Sequence, residues 1–254
     1  MTDDRRAIVL AAGQGKRLQP LTDETPKTLL RVGSQSILDH ILDTLEAAGY
    51  EEAVVVTGFE REQIEARCDA REGLDIEFVH NTEYDTTNNI YSLWLAREYA
   101  EGGFTLVNAD TLFPASSLRD LCETEGSALL VDTQKDLDDE EMQVAFDAER
   151  VETIGKDLDG DDRETGVYLE DGDGEYIGVS RFTAEDTALL FEQIGEFVER
   201  GAVTDWYEAA FDRLFDEREI GYVEVEDTWM EIDTPEDLER ARSRWPEAHV
   251  EQSP

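Results

Sequence analysis

The stretch LAAGQGKRLQPLTDETPK, residues 10–27, decides how the rest of the chain is interpreted. It continues from a short apolar segment, RAIVLA, and it places glycines at positions 13 and 15. Glycines at such a turn let backbone N–H groups approach a phosphate closely. The spacing excludes two common phosphate-binding motifs, because Leu18 stands where a dinucleotide loop has its third glycine and no Gly-Lys-Ser/Thr follows.

Positive charge is concentrated in this stretch, although the chain as a whole is strongly acidic. With 63 acidic and 22 basic residues, the formal net charge is −41. A bound polyphosphate would therefore need local cations to offset the surrounding field. The chain has four lysines, and two of them, Lys16 and Lys27, lie here beside Arg17. The residues alone leave two interpretations open, a polyphosphate site or a chance cluster on a solvated face.

The amino-acid composition argues against several classes of protein. Acidic residues are spread evenly along all 254 residues, which argues against charge-driven binding of nucleic acid or anionic membranes. The same pattern is typical of proteins from salt-in halophilic archaea. No apolar run is long enough to span a membrane and no apolar leader is present, so we expect a cytoplasmic protein without membrane insertion. Cys68 and Cys122 show neither disulfide nor zinc spacing.

Periodicity predicts an α/β fold. In the first half, strand-like segments alternate with helical ones, which favours a Rossmann-like, mostly parallel or mixed sheet flanked by helices. The predicted strands are 6–11, 53–57, 74–79 and 104–107, and the predicted helices are 36–48, 60–70 and 89–100. In the second half, strands are predicted at 127–132, 142–147, 150–154, 165–169, 175–180, 219–225 and 228–232, and helices at 184–199, 204–215 and from Thr234-Pro235 onward.

Two aspartates each follow a predicted strand directly. Asp110 closes FTLVNAD and Asp233 closes WMEID. In open α/β sheets, ligands bind in the crevice at the carboxyl ends of the strands, so both side chains are expected to reach one site. Two carboxylates sharing a Mg²⁺ ion suit phosphoryl chemistry.

Residues 10–45, LAAGQGKRLQPLTDETPKTLLRVGSQSILDHILDTL, resemble the N-terminal signature of a nucleotidyltransferase superfamily. These enzymes, of the nucleoside-diphospho-sugar pyrophosphorylase type, join a nucleoside triphosphate to a phosphorylated sugar or alcohol and release pyrophosphate. The resemblance implies a glycosyltransferase-A-like fold with a small inserted substrate lobe. It implies catalytic roles for Arg17 and Lys27, leaves Lys16 at a variable position, and supports Asp110 and Asp233 as metal ligands. Asn108 stands where the family often has another acid.

A second resemblance concerns the branch of the superfamily. NNIYSLW, residues 88–94, is similar to a segment of the cytidylyltransferases that activate phosphocholine and other small phospho-alcohols or phosphonates. Asn88 would also serve as a helix cap. Together, the resemblances imply nucleotide binding by Leu10, Ala11, Ala12, Gly13, Gly15, Arg17, Asn88 and Ser92.

The acceptor side is assigned from the same resemblance. Lys156 is expected to bind the acceptor phosphate, or else to be a solvated turn residue. Tyr91, Trp206 and Trp229, with Tyr207, would line the acceptor pocket and suit a quaternary ammonium, or else belong to the core. Asp205 is a possible partner for an amine.

The sequence therefore predicts a Mg²⁺-dependent enzyme that transfers CMP from CTP to a small phospho-alcohol or phosphonate and releases pyrophosphate. The alternatives are a sugar-1-phosphate nucleotidyltransferase using UTP or dTTP, and a nucleotide-binding regulatory module without turnover. We expect one domain, 1–254, with a nucleotide-binding half (1–110), an acceptor-binding half (111–233) and a C-terminal helix (234–246). A homodimer is left open.

Overall fold

The computed structural model describes residues 5–137, 141–156 and 172–245, which contain thirteen strands and seven α-helices. The strands are β1 (Arg6–Ala11), β2 (Arg31–Val32), β3 (Gln35–Ser36), β4 (Glu52–Thr57), β5 (Asp75–His80), β6 (Gly103–Asn108), β7 (Thr111–Leu112), β8 (Ala128–Asp132), β9 (Gln143–Asp147), β10 (Arg150–Gly155), β11 (Gly174–Thr183), β12 (Gly221–Glu224) and β13 (Met230–Glu231). The helices are α1 (Ile37–Ala47), α2 (Arg61–Cys68), α3 (Asn89–Leu95), α4 (Ala115–Glu123), α5 (Ala184–Glu199), α6 (Glu208–Phe215) and α7 (Pro235–Arg244).

Nine strands form one mixed sheet in the order β5-β4-β1-β6-β11-β8-β12-β10-β9. Strands β5, β4, β1 and β6 run parallel, as the alternation of strands and helices in the first half requires. Strand β11 is antiparallel to both β6 and β8, while β8 and β12 are parallel. The expected α/β fold with a mixed sheet is thus confirmed, and its antiparallel character comes from the second half of the chain.

Both faces of the central sheet are buried. Ala7 and Val9 of β1 point into one apolar cluster, and Ile8 points into the other. Helix α1 packs on the first face through Ile41 and its neighbours, while α5 and α6 cover the second face. Strands buried on both faces read as continuous apolar runs, which is why RAIVLA and EAVVVT were recognisable in the sequence.

The predicted start of the last helix is confirmed. The Thr234 side chain accepts a hydrogen bond from the Asp237 backbone N–H, and the Asp237 carboxylate accepts one from the Thr234 backbone N–H. Pro235 occupies the first helical position. Ser36 and Asp39 form the same capping box at α1. Among the described helices, none is both long and apolar enough to cross a membrane.

Several predicted boundaries differ from the structure. Helix α4 was missed because ASSLRDLCE is short, buries only two large apolar side chains, Leu118 and Leu121, and begins without a side-chain cap, after Pro114. The helix expected at 204–215 begins at Glu208, and the one expected at 89–100 ends at Leu95, before a short 3₁₀ turn. The strand expected at 165–169 lies outside the described residues. The proposed division into halves stays a prediction.

Phe211 is expected to be the most sensitive apolar position on the second face. Its ring lies 4.9 Å, between centroids, from those of both Phe182 and Tyr207, and the side chain is fully buried. Phe211→Ala should lower the free energy of unfolding by about 3–5 kcal/mol, because it removes apolar contacts and leaves a cavity. Urea denaturation measures this change. Leu21→Ala is the control, since Leu21 is 45% exposed and its loss should cost less than about 0.5 kcal/mol.

Candidate active site

A cavity of about 600 Å³ opens at the carboxyl ends of β1 and β6. This is the edge of the sheet where the sequence placed the ligand site. Most of the predicted site residues line it: Leu10, Ala11, Ala12, Gly13, Gly15, Arg17, Lys27, Asn88, Ser92, Asp110, Lys156, Trp206, Trp229 and Asp233. The structure thus brings together residues separated by more than two hundred positions in the chain.

The glycine loop is shaped by one residue in a left-handed conformation. Gly15 has φ 62° and ψ 47°, and its carbonyl accepts a hydrogen bond from the Thr22 hydroxyl at 2.8 Å. A Cβ at this position would lie 2.7 Å from Cβ of Lys27. The absence of a side chain therefore lets the loop pack directly on Lys27. Lys16 also borders the cavity, but it is exposed.

Lys27 lies between the two predicted metal ligands. Its ammonium donates to Asp110 Oδ2 at 3.0 Å and also contacts Asp233, which Arg17 contacts from the other side. Burial acts to lower the pKa of Lys27, but the two carboxylates outweigh burial and the pKa is raised. Burial likewise acts to raise the pKa of Asp233, whereas its pairing with Lys27 lowers that pKa overall. Lys27 and Asp233 are therefore both charged at neutral pH.

A short pair of strands joins the two ends of the sequence at this point. Strands β7 and β13 pair antiparallel with Glu231 opposite Thr111, and the Ile232 N–H donates to the Asp110 carbonyl at 3.0 Å. This pairing places Asp233 beside Asp110. Sequence reasoning missed Glu231, although it lies only two positions before Asp233 in the same WMEID segment.

Oxygen atoms of Asp110, Glu231 and Asp233 lie within 4.8 Å of one another. Carboxylate oxygens are ligands that Mg²⁺ accepts in proteins, usually one or two of them together with phosphate oxygens and water. The residues present therefore fit the divalent ion that the sequence suggested. Lys27, held among the same oxygens, is placed to meet the phosphates that such an ion would bind.

Helix α3 contributes the residues expected to contact the nucleotide. The Asn88 side chain accepts from the Asn89 N–H at 2.8 Å and donates to the Thr204 carbonyl at 3.2 Å, so it caps the helix and lines the cavity at once. Ser92 accepts from Asn81 at 3.0 Å. Tyr91 of the same helix, which was expected on the acceptor side, is not among the residues that line the cavity, and its hydroxyl donates to Glu83 at 3.5 Å.

The end of the cavity that the sequence predicted to bind an acceptor has aromatic walls. The ammonium of Lys156 lies 5.2 Å from the centre of the Trp206 ring. Trp229 donates through its indole N–H to Asp132 at 2.7 Å, which fixes the ring at the cavity. Two of the weaker assignments do not hold. Tyr207 is fully buried in the core, and Asp205 pairs with Arg200 at 3.7 Å outside the cavity lining.

Two buried carboxylates at the cavity were not anticipated. Glu175 is 3% exposed and pairs with Lys135 at 2.7 Å, and burial raises its pKa to about 7. Glu208 is 4% exposed, and burial raises its pKa to about 7 as well. Neither has a local sequence signal, since one lies inside a strand and the other in the first turn of a helix that sequence reasoning began four residues too early.

The fit of Gly15 against Lys27 gives a testable expectation. Gly15→Ala should lower kcat/KM of the reaction proposed below by at least about tenfold, because the added methyl group displaces Lys27 and small misplacements of reacting groups are costly. Steady-state kinetics measures this loss. Gly126→Ala is the matched control: Gly126 has φ +80°, but a Cβ there meets nothing within 4 Å. Equal losses in both variants would show that backbone strain alone is responsible.

Comparisons of the sequence and of the structure with known proteins point to the same family. Residues 7–169 match the family described as MobA-like NTP transferase domain. The chain is 29% identical over 244 residues to the bifunctional IPC transferase and DIPP synthase of Aquifex aeolicus, covering 93% of this chain and 50% of that protein. It is 31% identical over 116 residues to the choline-phosphate cytidylyltransferase of Streptococcus pneumoniae, covering 46% of this chain and 49% of that one.

Among solved structures, the inositol-1-phosphate CTP transferase from T. maritima superposes with a TM-score of 0.77 at 25% identity, covering 96% of this chain and 97% of that one. The chain spans about half the length of the two curated relatives just named.

Proposed function

Because the chain belongs to the family of MobA-like NTP transferase domains and is an enzyme domain of the nucleotidyltransferase type, we propose that it transfers CMP from CTP to a small phospho-alcohol or phosphonate. The observation that carries this proposal is the position of Lys27. Its ammonium lies between Asp110 and Asp233 and beneath the glycine loop. A nucleoside triphosphate and a cation bound by these carboxylates would both lie beside Lys27.

In the proposed reaction, a phosphate or phosphonate oxygen of the acceptor attacks the α-phosphorus of CTP. The bond from that phosphorus to the oxygen bridging the α- and β-phosphates breaks, and pyrophosphate leaves with the bond electrons. The attacking oxygen is already anionic, so no protein nucleophile or general base is required. Catalysis then depends on holding two anions together and neutralising the charge that develops.

The residues at the cavity have distinct parts in this reaction. Backbone N–H groups of the glycine loop and the Arg17 guanidinium bind the triphosphate. Lys27 neutralises charge around the α-phosphorus, and Lys156 neutralises the acceptor's anionic group. Asp110 and Asp233, with Glu231, would hold Mg²⁺, which when bound supplies further positive charge to the phosphates.

The choice of CTP rests on relatives. The names of the pneumococcal enzyme and the T. maritima structure both specify cytidylyl or CTP transfer to a non-sugar phosphate. The segment NNIYSLW, which suggested the same branch, forms the cavity wall through Asn88, Asn89 and Ser92. The cytoplasmic location and the halophilic source stay predictions from the composition, and oligomeric state stays open.

The test is pyrophosphate release in molar KCl with Mg²⁺. CTP, UTP, dTTP, ATP and GTP are each combined with phospho-alcohols, phosphonates and sugar-1-phosphates. We expect turnover with CTP and a non-sugar acceptor. Turnover with UTP or dTTP and a hexose-1-phosphate would replace the proposed substrates by those of the sugar-nucleotide enzymes. Nucleotide binding without release for any pair would leave only the regulatory module.

A further inference from the structure

The side-chain amide of Asn108 has one end engaged and the other end available at the cavity. Its Oδ1 accepts a hydrogen bond from the Tyr207 hydroxyl at 3.1 Å. Its Nδ2 donates to no acceptor within residues 5–137, 141–156 and 172–245, yet it is not a fully buried atom. Asn108 is half-buried and lines the cavity. The amide therefore has N–H donors that a ligand in the cavity can use.

Gly178 leaves the space beside this amide open. It has φ +81° and lies in β11, where the pairing with β8 shifts register between Tyr176 and Ser180. A Cβ at position 178 would lie 2.7 Å from Nδ2 of Asn108, so any side chain there would displace the amide. Gly178 lines the same cavity. The absence of a side chain thus keeps Nδ2 at the cavity wall.

The buried hydroxyl of Tyr207 holds the amide in this orientation. Tyr207 is fully buried, and burial keeps the pKa of its hydroxyl well above the usual value, so the hydroxyl stays protonated. Two oxygens lie near it: Oδ1 of Asn108 at 3.1 Å and the Tyr176 hydroxyl at 3.4 Å, which itself donates to Ser180. The nearer oxygen is the better acceptor for the single phenolic hydrogen. With Oδ1 engaged in the core, Nδ2 is left for the cavity.

Asn108 lies where the two substrates of the proposed reaction meet. It ends β6, which pairs with β1 on one side and with β11 on the other. Its partner in register on β1, Leu10, leads into the glycine loop that is expected to bind the triphosphate. Strand β11 belongs to the half of the chain predicted to bind the acceptor. A group passing from one substrate to the other therefore crosses the end of β6, where Asp110 follows Asn108 by two positions.

On the basis of the proposed function, we infer that Asn108 is a catalytic residue that donates an amide N–H to a non-bridging oxygen on the α-phosphorus during transfer. The bond from the acceptor oxygen forms and the bond to pyrophosphate breaks, while the amide keeps its proton. A fixed donor aimed at the transferring group stabilises the charge that its oxygens carry in the transition state. Tyr207 is then a positioning residue, because it acts by holding the amide.

The test is steady-state pyrophosphate release with CTP and one acceptor. That acceptor is O-phosphocholine, 2-aminoethylphosphonate or inositol 1-phosphate, whichever the parent protein turns over fastest. Asn108→Ala should lower kcat by roughly 10²-fold, the scale of removing one donor to a developing charge. The KM values for CTP and for the acceptor should each stay within about threefold, because the contact is made in the transition state.

Tyr207→Phe tests the positioning role. It keeps the ring, whose centroid lies 4.9 Å from that of Phe211, and removes the hydroxyl. This variant should lower kcat roughly tenfold in the parent protein but less than about twofold when Asn108 is already alanine, because the two residues act as one unit. A merely structural hydroxyl would lower kcat equally in both backgrounds.

Tyr50→Phe is the matched control. Tyr50 is 3% exposed, and its hydroxyl hydrogen-bonds with Thr105, another residue of β6, at 2.6 Å. Neither residue lines the cavity. Tyr50→Phe should therefore lower thermal stability much as Tyr207→Phe does, but it should leave kcat unchanged.

The outcomes separate this inference from the function on which it rests. An unchanged kcat in Asn108→Ala would overturn the inference and leave cytidylyl transfer standing, and so would a raised KM for either substrate without a loss of kcat. If Asn108→Ala does not fold, as judged by circular dichroism, the comparison of Tyr207→Phe with Tyr50→Phe decides, and equal kcat values in these two variants would overturn the inference. Absence of pyrophosphate release by the parent protein with every acceptor would overturn the proposed function and the inference together.

Discussion

Replacing Lys27 with methionine is expected to lower kcat by roughly 10³-fold, the scale of losing one charged stabilising group in a water-poor site. The Lys27 side chain is 13% exposed and its ammonium is held between Asp110 and Asp233. Methionine matches the lysine stem in length but carries no charge. The two carboxylates then face the incoming triphosphate without an intervening cation, and the developing charge on the α-phosphorus is less well stabilised.

The measurement is steady-state kinetics of pyrophosphate release with saturating CTP, accompanied by a thermal unfolding scan. Lys16→Met is the matched control: Lys16 also borders the cavity, but it is exposed and its ammonium contacts none of the three carboxylates in the described structure. Its loss should change kcat by less than about threefold, because an exposed charge is well screened. Comparable losses in the two variants would contradict a special role for Lys27.

Asp233→Asn should lower kcat by roughly 10²- to 10³-fold and weaken the apparent affinity for Mg²⁺ by tens of fold. Asp233 is contacted by both Lys27 and Arg17, and it shares a cluster of carboxylate oxygens with Asp110 and Glu231. An amide offers one neutral oxygen in place of a charged carboxylate, so both the ion and the two cations lose a partner. A titration of kcat against Mg²⁺ concentration separates the two effects.

Asp110→Asn is expected to give a similar loss, and the double variant a loss far smaller than the product of the two, because residues that act as one unit are not additive. Asp227→Asn serves as the control, since Asp227 is an exposed acid that accepts a hydrogen bond from Ser116 at 3.0 Å. Normal Mg²⁺ dependence in Asp233→Asn would show that this carboxylate holds no catalytic ion.

Much of this architecture could be predicted because it depends on local patterns. Apolar runs such as RAIVLA mark strands buried on both faces, and Thr234-Pro235 marks a helix start whatever the rest of the chain does. Asp110 follows β6 and lies at the carboxyl edge of the large sheet, as its position after a strand predicted. The strand and helix assignments needed no knowledge of which strands are neighbours, whereas Asp233 reaches Asp110 through the separate pairing of β13 with β7.

What could not be predicted depends on contacts between distant segments. Glu208 differs from the other acids only because α6 turns it inward beside Trp206, and Glu231 joins the carboxylate cluster through the pairing of β13 with β7. Tyr207 and Tyr91 illustrate the reverse error. Both neighbour true cavity residues in sequence, yet the fold directs the first into the core and the second toward Glu83.

The distribution of lysine has a practical consequence. Three of the four lysines border the cavity: Lys16, Lys27 and Lys156. The fourth, Lys135, is hydrogen-bonded to Glu175 in the cavity wall, so all four lysines lie at or next to the cavity. Amine-directed acylation therefore becomes a footprint of the active site itself. Apart from the N-terminal amine, every label that mass spectrometry detects would report on one cavity, and the labels that CTP or an acceptor protects would map the two halves of the reaction onto individual side chains.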